Sequence, residues 1–319
     1  MTEPVNQEYS KPEFIKDKSL VIIDSSLPDN TVTRNEVKKG IISLKEMGFK
    51  VFDGEYVYKE YPYTKEGYKQ RAAVINAAFA NKEVGGIICK SGGYGSTEVM
   101  EYLNDKAIQE NPKLLCGYSD STYLLLYIHD RLKMVVFHGP SLISGLAAMA
   151  NMTKKYFVRV FAQNNYPLKI PMLSFQSWNS GKATGKVIGG NINKLLEYLD
   201  AYPDTSFKGK ILFIEEFAET PARLGTLFYK LKKRGVFKGI KGILIGRFLD
   251  SNSKAMEEED IKLAKNYLLH HLGDRNIPVL YGFMSGHGWE KVPLPFGTDV
   301  TIDATNRLVI YEECPFKEF

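Results

Sequence analysis

The chain has 319 residues, 44% of them hydrophobic and 25% charged, with 42 basic against 37 acidic side chains and a net charge of +5. That length suits about two domains with buried cores, and a small excess of Lys and Arg without any dense run argues against a nucleic-acid partner. Cys89, Cys116 and Cys314 are odd in number and far apart, which argues against a disulfide framework and a zinc cluster.

In chain order, residues 1–18 are polar and lack the apolar centre of a signal peptide. No apolar run reaches the ~18–20 residues that cross a bilayer, so the expected location is the cytoplasm. Residues 19–23 (SLVII) read as a buried strand, and Val37, Ile41, Leu44 and Met47 recur at helical spacing over 36–47. A helix is predicted over 68–79. A strand at 86–89 (GIIC) runs into the glycine-rich SGGYGS of 91–96, and a helix follows to about 109. The strand 113–117 leads into Ser119, then come a helix over 122–132 and a strand over 134–137. Strands and helices alternating over short loops predict an α/β, doubly wound and mainly parallel sheet covered on both faces.

The alternation breaks over 164–185, where Pro167, Pro171, Ser174, Ser177 and Ser180 crowd together. This stretch is expected to be a linker between domains at 1–163 and 186–319. Beyond it the pattern predicts helices over 191–199, 222–234 and 257–272, strands at 210–214 and 242–245, and a tail of short β-like runs.

Ser119 lies in Gly117-Tyr118-Ser119-Asp120, between an apolar strand and a helix. A sharp strand-to-helix turn lifts a hydroxyl clear of a sheet and aims the next amides at a developing oxyanion. A helix cap would use the same residue types. The SGGYGS stretch suits a tight turn, a phosphate cradle without the P-loop ending, or an amide donor from Gly92 or Gly93 across to Ser119. A serine nucleophile needs a base. Of five histidines, His138 after a strand and the glycine-flanked His287 are the candidates, while His129, His270 and His271 sit in helical patterns. The base needs a carboxylate. Glu215 and Glu216 end an apolar strand, and adjacent strand residues face opposite ways, so at most one can serve. No metal-ligand spacing is present, and neither metal nor cofactor is expected.

Six ordered segments resemble the LD-carboxypeptidases and their relatives, the microcin C self-immunity peptidases. They are GIICKSGGYGS at 86–96, NPKLLCGYSDST at 111–122, VFHGP at 136–140, GGN at 189–191, LFIEE at 212–216 and GFMSGH at 282–287, the last followed by Pro293, Pro295 and Gly297. The resemblance implies a serine peptidase with Ser119 as nucleophile, His287 as base, Glu215 as its orienting acid and the amides of Asp120 and Gly92 or Gly93 as oxyanion hole. It also implies an N-terminal α/β domain, a β-rich C-terminal domain, a site between them, and a homodimer. The implied reaction is release of a terminal D-alanine from a muropeptide tetrapeptide in cell-wall recycling. The alternatives are hydrolysis of a peptidyl-nucleotide such as processed microcin C, and non-catalytic muropeptide binding. The segment 221–226 (PARLGT) keeps Arg223 but loses the Asp and second Arg of the family's usual pattern, and Trp289-Glu290 stand where an Asn often follows the family's histidine. Arg223, Trp178 and Trp289 are the candidate substrate contacts.

Overall fold

A computed structural model of the chain describes residues 8–317 apart from 14, 16–17, 28–31, 149, 172–173, 251 and 253. The first seven residues of the polar N-terminal stretch lie outside it.

The first half supplies five short parallel strands: β1 (Ser19–Ile23), β2 (Lys50–Val51), β3 (Val84–Cys89), β4 (Leu114–Gly117) and β5 (Val136–His138). The second half supplies β6 (Leu168–Pro171), β7 (Gln176–Asn179), β8 (Lys182–Asn191), β9 (Ile211–Phe217), β10 (Gly242–Leu249), β11 (Val279–Phe283), β12 (Leu294–Phe296), β13 (Asp299–Asp303) and β14 (Leu308–Tyr311). One sheet has the order β12-β5-β4-β3-β1-β2 and the other β6-β14-β13-β8-β9-β10-β11-β7. In the first sheet only β12 is antiparallel, against β5. In the second, a parallel centre of β8 to β11 is flanked by antiparallel strands. The fold is a two-domain α/β arrangement, with a mainly parallel N-terminal sheet and a sheet-rich C-terminal part.

The strands covered on both faces are near-continuous apolar runs. Every residue of β3 and β4 is buried, as are the first six of β9. Helices begin where the sequence offers caps: Thr33 and Glu36 form a reciprocal capping box, Asn191 caps the helix Ile192–Ala201, and Thr220 with Pro221 starts the helix Pro221–Lys233.

Two expectations differ from the observed elements. The helix expected up to residue 109 is split into Ser96–Val99, Met100–Tyr102 and Asp105–Glu110. Leu103 turns extended and the Asn104 side chain accepts from Ala107 N–H, so a new helix starts there. The stretch 164–185 holds β6, β7 and the start of β8, all in the second sheet. No helix among the described residues is long and apolar enough to cross a membrane.

The strand order β5-β4-β3-β1-β2 reverses direction beside β1 and β3, and ligands in open α/β sheets bind outside the carboxyl ends of strands at such a point. The glycine-rich turn follows β3 and Ser119 follows β4, so both lie at that end. The helix Thr122–Asp130 after Ser119 packs on the helix Ile192–Ala201 of the other half, which brings the carboxyl end of β9 to the same place.

Candidate active site

Ser119 adopts φ 60°. A left-handed backbone costs a non-glycine residue about 1–2 kcal/mol, and such strain gathers at functional turns. The chain leaves β4, makes one tight turn over Ser119–Ser121 and enters the helix Thr122–Asp130. Gly92 faces this turn so closely that a Cβ there would lie 2.8 Å from Ser119 Cβ and 2.9 Å from Oγ. Only glycine fits. Gly93 has φ 130°, so the loop bends back immediately after the approach.

The Ser119 hydroxyl lies 3.0 Å from His287 Nε2, and His287 Nδ1 lies 2.7 Å from Glu215 Oε2. A carboxylate only accepts, so Nδ1 carries the proton and Nε2 is free to accept from the serine. Glu215 is fully buried at the end of β9, and Oε2 also accepts the His287 backbone N–H at 3.2 Å. Burial opposes its charge. The histidine's charge and the hydrogen bonds from ring and backbone outweigh that and hold the carboxyl below its ordinary value. The ring is confined on both sides: Phe217 stacks on it at 4.8 Å between centroids, and Tyr118 meets it edge-on at 5.1 Å. Lys291 Nζ donates to the Gly288 carbonyl at 2.6 Å and lies 5.1 Å over the Tyr118 ring, bracing the turn that carries His287. Its own burial pushes the ammonium down to about 8.

Glu216 points the other way. Oε1 accepts from Asn191 Nδ2 and Phe217 N–H, and Oε2 from Asn193 N–H and Nδ2, all between 2.7 and 3.0 Å. Burial and the neighbouring Glu215 charge push its carboxyl up to about 7 against those donors. It ties the end of β9 to the start of the next-door helix rather than to the histidine.

His138, the other candidate base, is buried at the end of β5. Its Nδ1–H donates to Ser285 Oγ at 2.9 Å, and that hydroxyl donates to the His138 carbonyl at 3.1 Å. Burial pushes this imidazole down to about 4, and that of buried His129 to about 3. An unfolded chain protonates both below about pH 6.5. Both folded values are depressed, so stability is full above pH 6.5 and falls on acidification, by about 1.4 kcal/mol per pH unit for each ring. Urea midpoints should therefore drop between pH 7 and pH 5, and His129→Gln should shrink that drop.

The three candidate substrate contacts fare differently. Trp178 is a correction: it is 4% exposed on β7 and stacks on Tyr281 at 4.8 Å, so its ring is core and offers no platform. Arg223, on an exposed helical turn, lies 3.6 Å from Glu219, so its charge is already answered. Trp289 is 71% exposed, two residues beyond His287. Phe217, Lys291 and the Asn191–Asn193 pair escaped the sequence reading, although the GGN segment and the residue after the acid pair marked two of them. No cluster of three or more metal-ligating side chains occurs among the described residues.

A strained serine, an imidazole and a buried carboxylate in hydrogen-bonded series can move a proton from hydroxyl to ring while the carboxylate stabilises the resulting charge. Known proteins resemble the chain over nearly its whole length. The chain is 26% identical over 294 residues to a probable murein peptide carboxypeptidase of Bacillus subtilis (strain 168), covering 92% of this chain and 90% of that one. It is 29% identical over 321 residues to the microcin C7 self-immunity protein MccF of Escherichia coli, covering 91% of each. A structure of MccF in complex with glutamyl sulfamoyl guanosine superposes with a TM-score of 0.81 at 25% identity, over 97% of this chain and 99% of that one. Residues 21–139 match the LD-carboxypeptidase N-terminal domain and 184–302 its C-terminal domain, and the chain therefore belongs to the LD-carboxypeptidase family of peptidases.

Proposed function

We propose that the protein is a serine peptidase in which Ser119 attacks an amide carbonyl, His287 takes its proton, and Glu215 holds the ring. The observation that carries this is the line from Ser119 Oγ through the His287 ring to Glu215 Oε2, with its two links of 3.0 and 2.7 Å. The Asp120 amide follows the strained serine into a helical turn, and the Gly92–Gly93 turn after β3 closes on that serine from the other side, where an amide of either glycine is the second donor we assign. Together they suit the tetrahedral oxyanion. Collapse passes the proton from His287 to the leaving amine, and water then releases the acyl group by the same steps. A pure muropeptide binder would have no use for a strained serine in line with an imidazole and a buried acid.

The substrate we favour is a muropeptide tetrapeptide, cut at its L,D-amide bond to release D-alanine. The murein peptide carboxypeptidase relative supports it. A second reading, hydrolysis of a peptidyl-nucleotide, draws on the relatives bound to glutamyl sulfamoyl guanosine and aspartyl sulfamoyl adenosine. It draws equally on the exposed indole of Trp289, two residues along the chain from His287, as a face on which a base can stack. We also read the chain as two domains, the first over 1–163 and the second taking in the strands of 164–185, acting in the cytoplasm as a homodimer.

Purified protein should be incubated in parallel with a tetrapeptide muropeptide and with glutamyl sulfamoyl adenosine, and the products weighed by mass spectrometry. Loss of D-alanine from the first is the expected result. Cleavage of the nucleotide alone would move the assignment to the second reading, and turnover of neither would remove both.

A further inference from the structure

The residue after Ser119 is an aspartate whose side chain is fully buried. A full negative charge one residue from a developing oxyanion repels it, and a low-dielectric site strengthens that repulsion. The surroundings answer this charge from two sides. Asp120 Oδ2 accepts the Ser96 backbone N–H at 3.0 Å, and Ser96 Oγ donates to the Asp120 carbonyl at 2.8 Å. The turn that opens at Gly92 is thereby pinned to the turn that carries Ser119.

The second side comes from the other half of the chain. Lys194, in the first turn of the helix Ile192–Ala201, places Nζ 2.8 Å from Asp120 Oδ1. The contact is a charge pair without the alignment of a hydrogen bond. Lys194 also pairs with Glu197 at 2.8 Å, and Glu197 accepts from Thr97 Oγ1 at 2.5 Å. The start of that helix is held by Glu216 through Asn191 and Asn193, one residue from Glu215. Burial opposes the Lys194 charge, but Asp120 and Glu197 outweigh it and keep the ammonium above its ordinary value.

We propose that Lys194 is the positioning residue that neutralises Asp120, so that the Asp120 amide presents a donor to the oxyanion without an uncompensated carboxylate behind it. Lys194 acts through Asp120 and touches no reacting atom. The same contact locks the oxyanion side of the site to the half that carries Glu215 and His287. This rests on the reading of Ser119 as nucleophile.

A small alkyl fluorophosphonate tests it without knowledge of the natural substrate. Ser119 Oγ bonds to phosphorus, the P–F bond breaks, the serine proton passes to His287 and fluoride leaves, while the phosphonyl oxygen takes the oxyanion's place. Labelling rates are followed by intact mass on the wild type, Ser119→Ala, Lys194→Met, Lys194→Arg and the double variant Lys194→Met with Asp120→Asn. Thermal melts show that each is folded. Lys194→Met should label on the order of 10²-fold more slowly, and Lys194→Arg should stay within a few-fold of the wild type. The double variant should recover at least about tenfold over Lys194→Met, because asparagine keeps the acceptor for Ser96 N–H and discards the charge. Lost packing alone gives no such recovery. An unslowed Lys194→Met, or a double variant no faster than the single, overturns the proposal while leaving Ser119 in place. Absence of label on wild-type Ser119 overturns the nucleophile reading and this proposal together.

Discussion

Ser119→Ala is expected to lower kcat on the cleaved substrate by on the order of 10⁵-fold or more, with KM changed by only a few-fold. The hydroxyl is the only atom removed, and it sits between the imidazole and the Gly92 turn. The backbone adds a second, opposite expectation. At φ 60° any Cβ is strained, so Ser119→Gly should abolish turnover equally and yet stabilise the fold by roughly 1 kcal/mol. Paired kinetics and thermal melts on both variants check this. Residual activity above a thousandth of the wild type in Ser119→Ala would assign the nucleophile elsewhere.

Gly286→Ala should be nearly as damaging, although the residue carries no chemistry. Its φ is 101°, and a Cβ there would lie 2.4 Å from Glu215 Oε2. That oxygen accepts both the His287 ring and the His287 backbone N–H. Relief of the clash moves the carboxylate or the turn, and loss of the orienting acid in a triad costs up to about 10⁴ in kcat. We expect a fall of 10²–10⁴ in kcat and a loss of about 1–3 kcal/mol in stability. Steady-state kinetics with urea denaturation would show both. A variant with wild-type kcat would mean that the Glu215 contact to His287 is dispensable.

The legible parts of the fold are those where burial writes itself into the sequence. Strands covered on both faces, such as SLVII and GIIC, show as unbroken apolar runs. Two of the strands hidden in 164–185, β6 and β7, lie at the two edges of the second sheet, where one side needs no partner. There LKIP can end in proline and QSWN can be polar, and both read as loop. In the site, Ser119 and His287 stood out through their glycine neighbours. The choice between Glu215 and Glu216 is set by the direction of a strand side chain, which spacing alone leaves open. Trp178 is core rather than a substrate contact because Tyr281 of β11 stacks on it, a neighbour about a hundred residues away that the local sequence does not show. Lys194 carried no signal, since a lysine in the first turn of a helix is ordinary until its distant partner is known.

The route of the chain around His287 has a mechanical meaning. Upstream, β11 belongs to the eight-stranded sheet; downstream, β12 is the edge strand of the six-stranded one, paired with β5. The segment bearing the imidazole is thus a strap sewn at its two ends to two different plates. Any shift of one plate against the other would therefore change the 3.0 Å span between the His287 ring and the Ser119 hydroxyl.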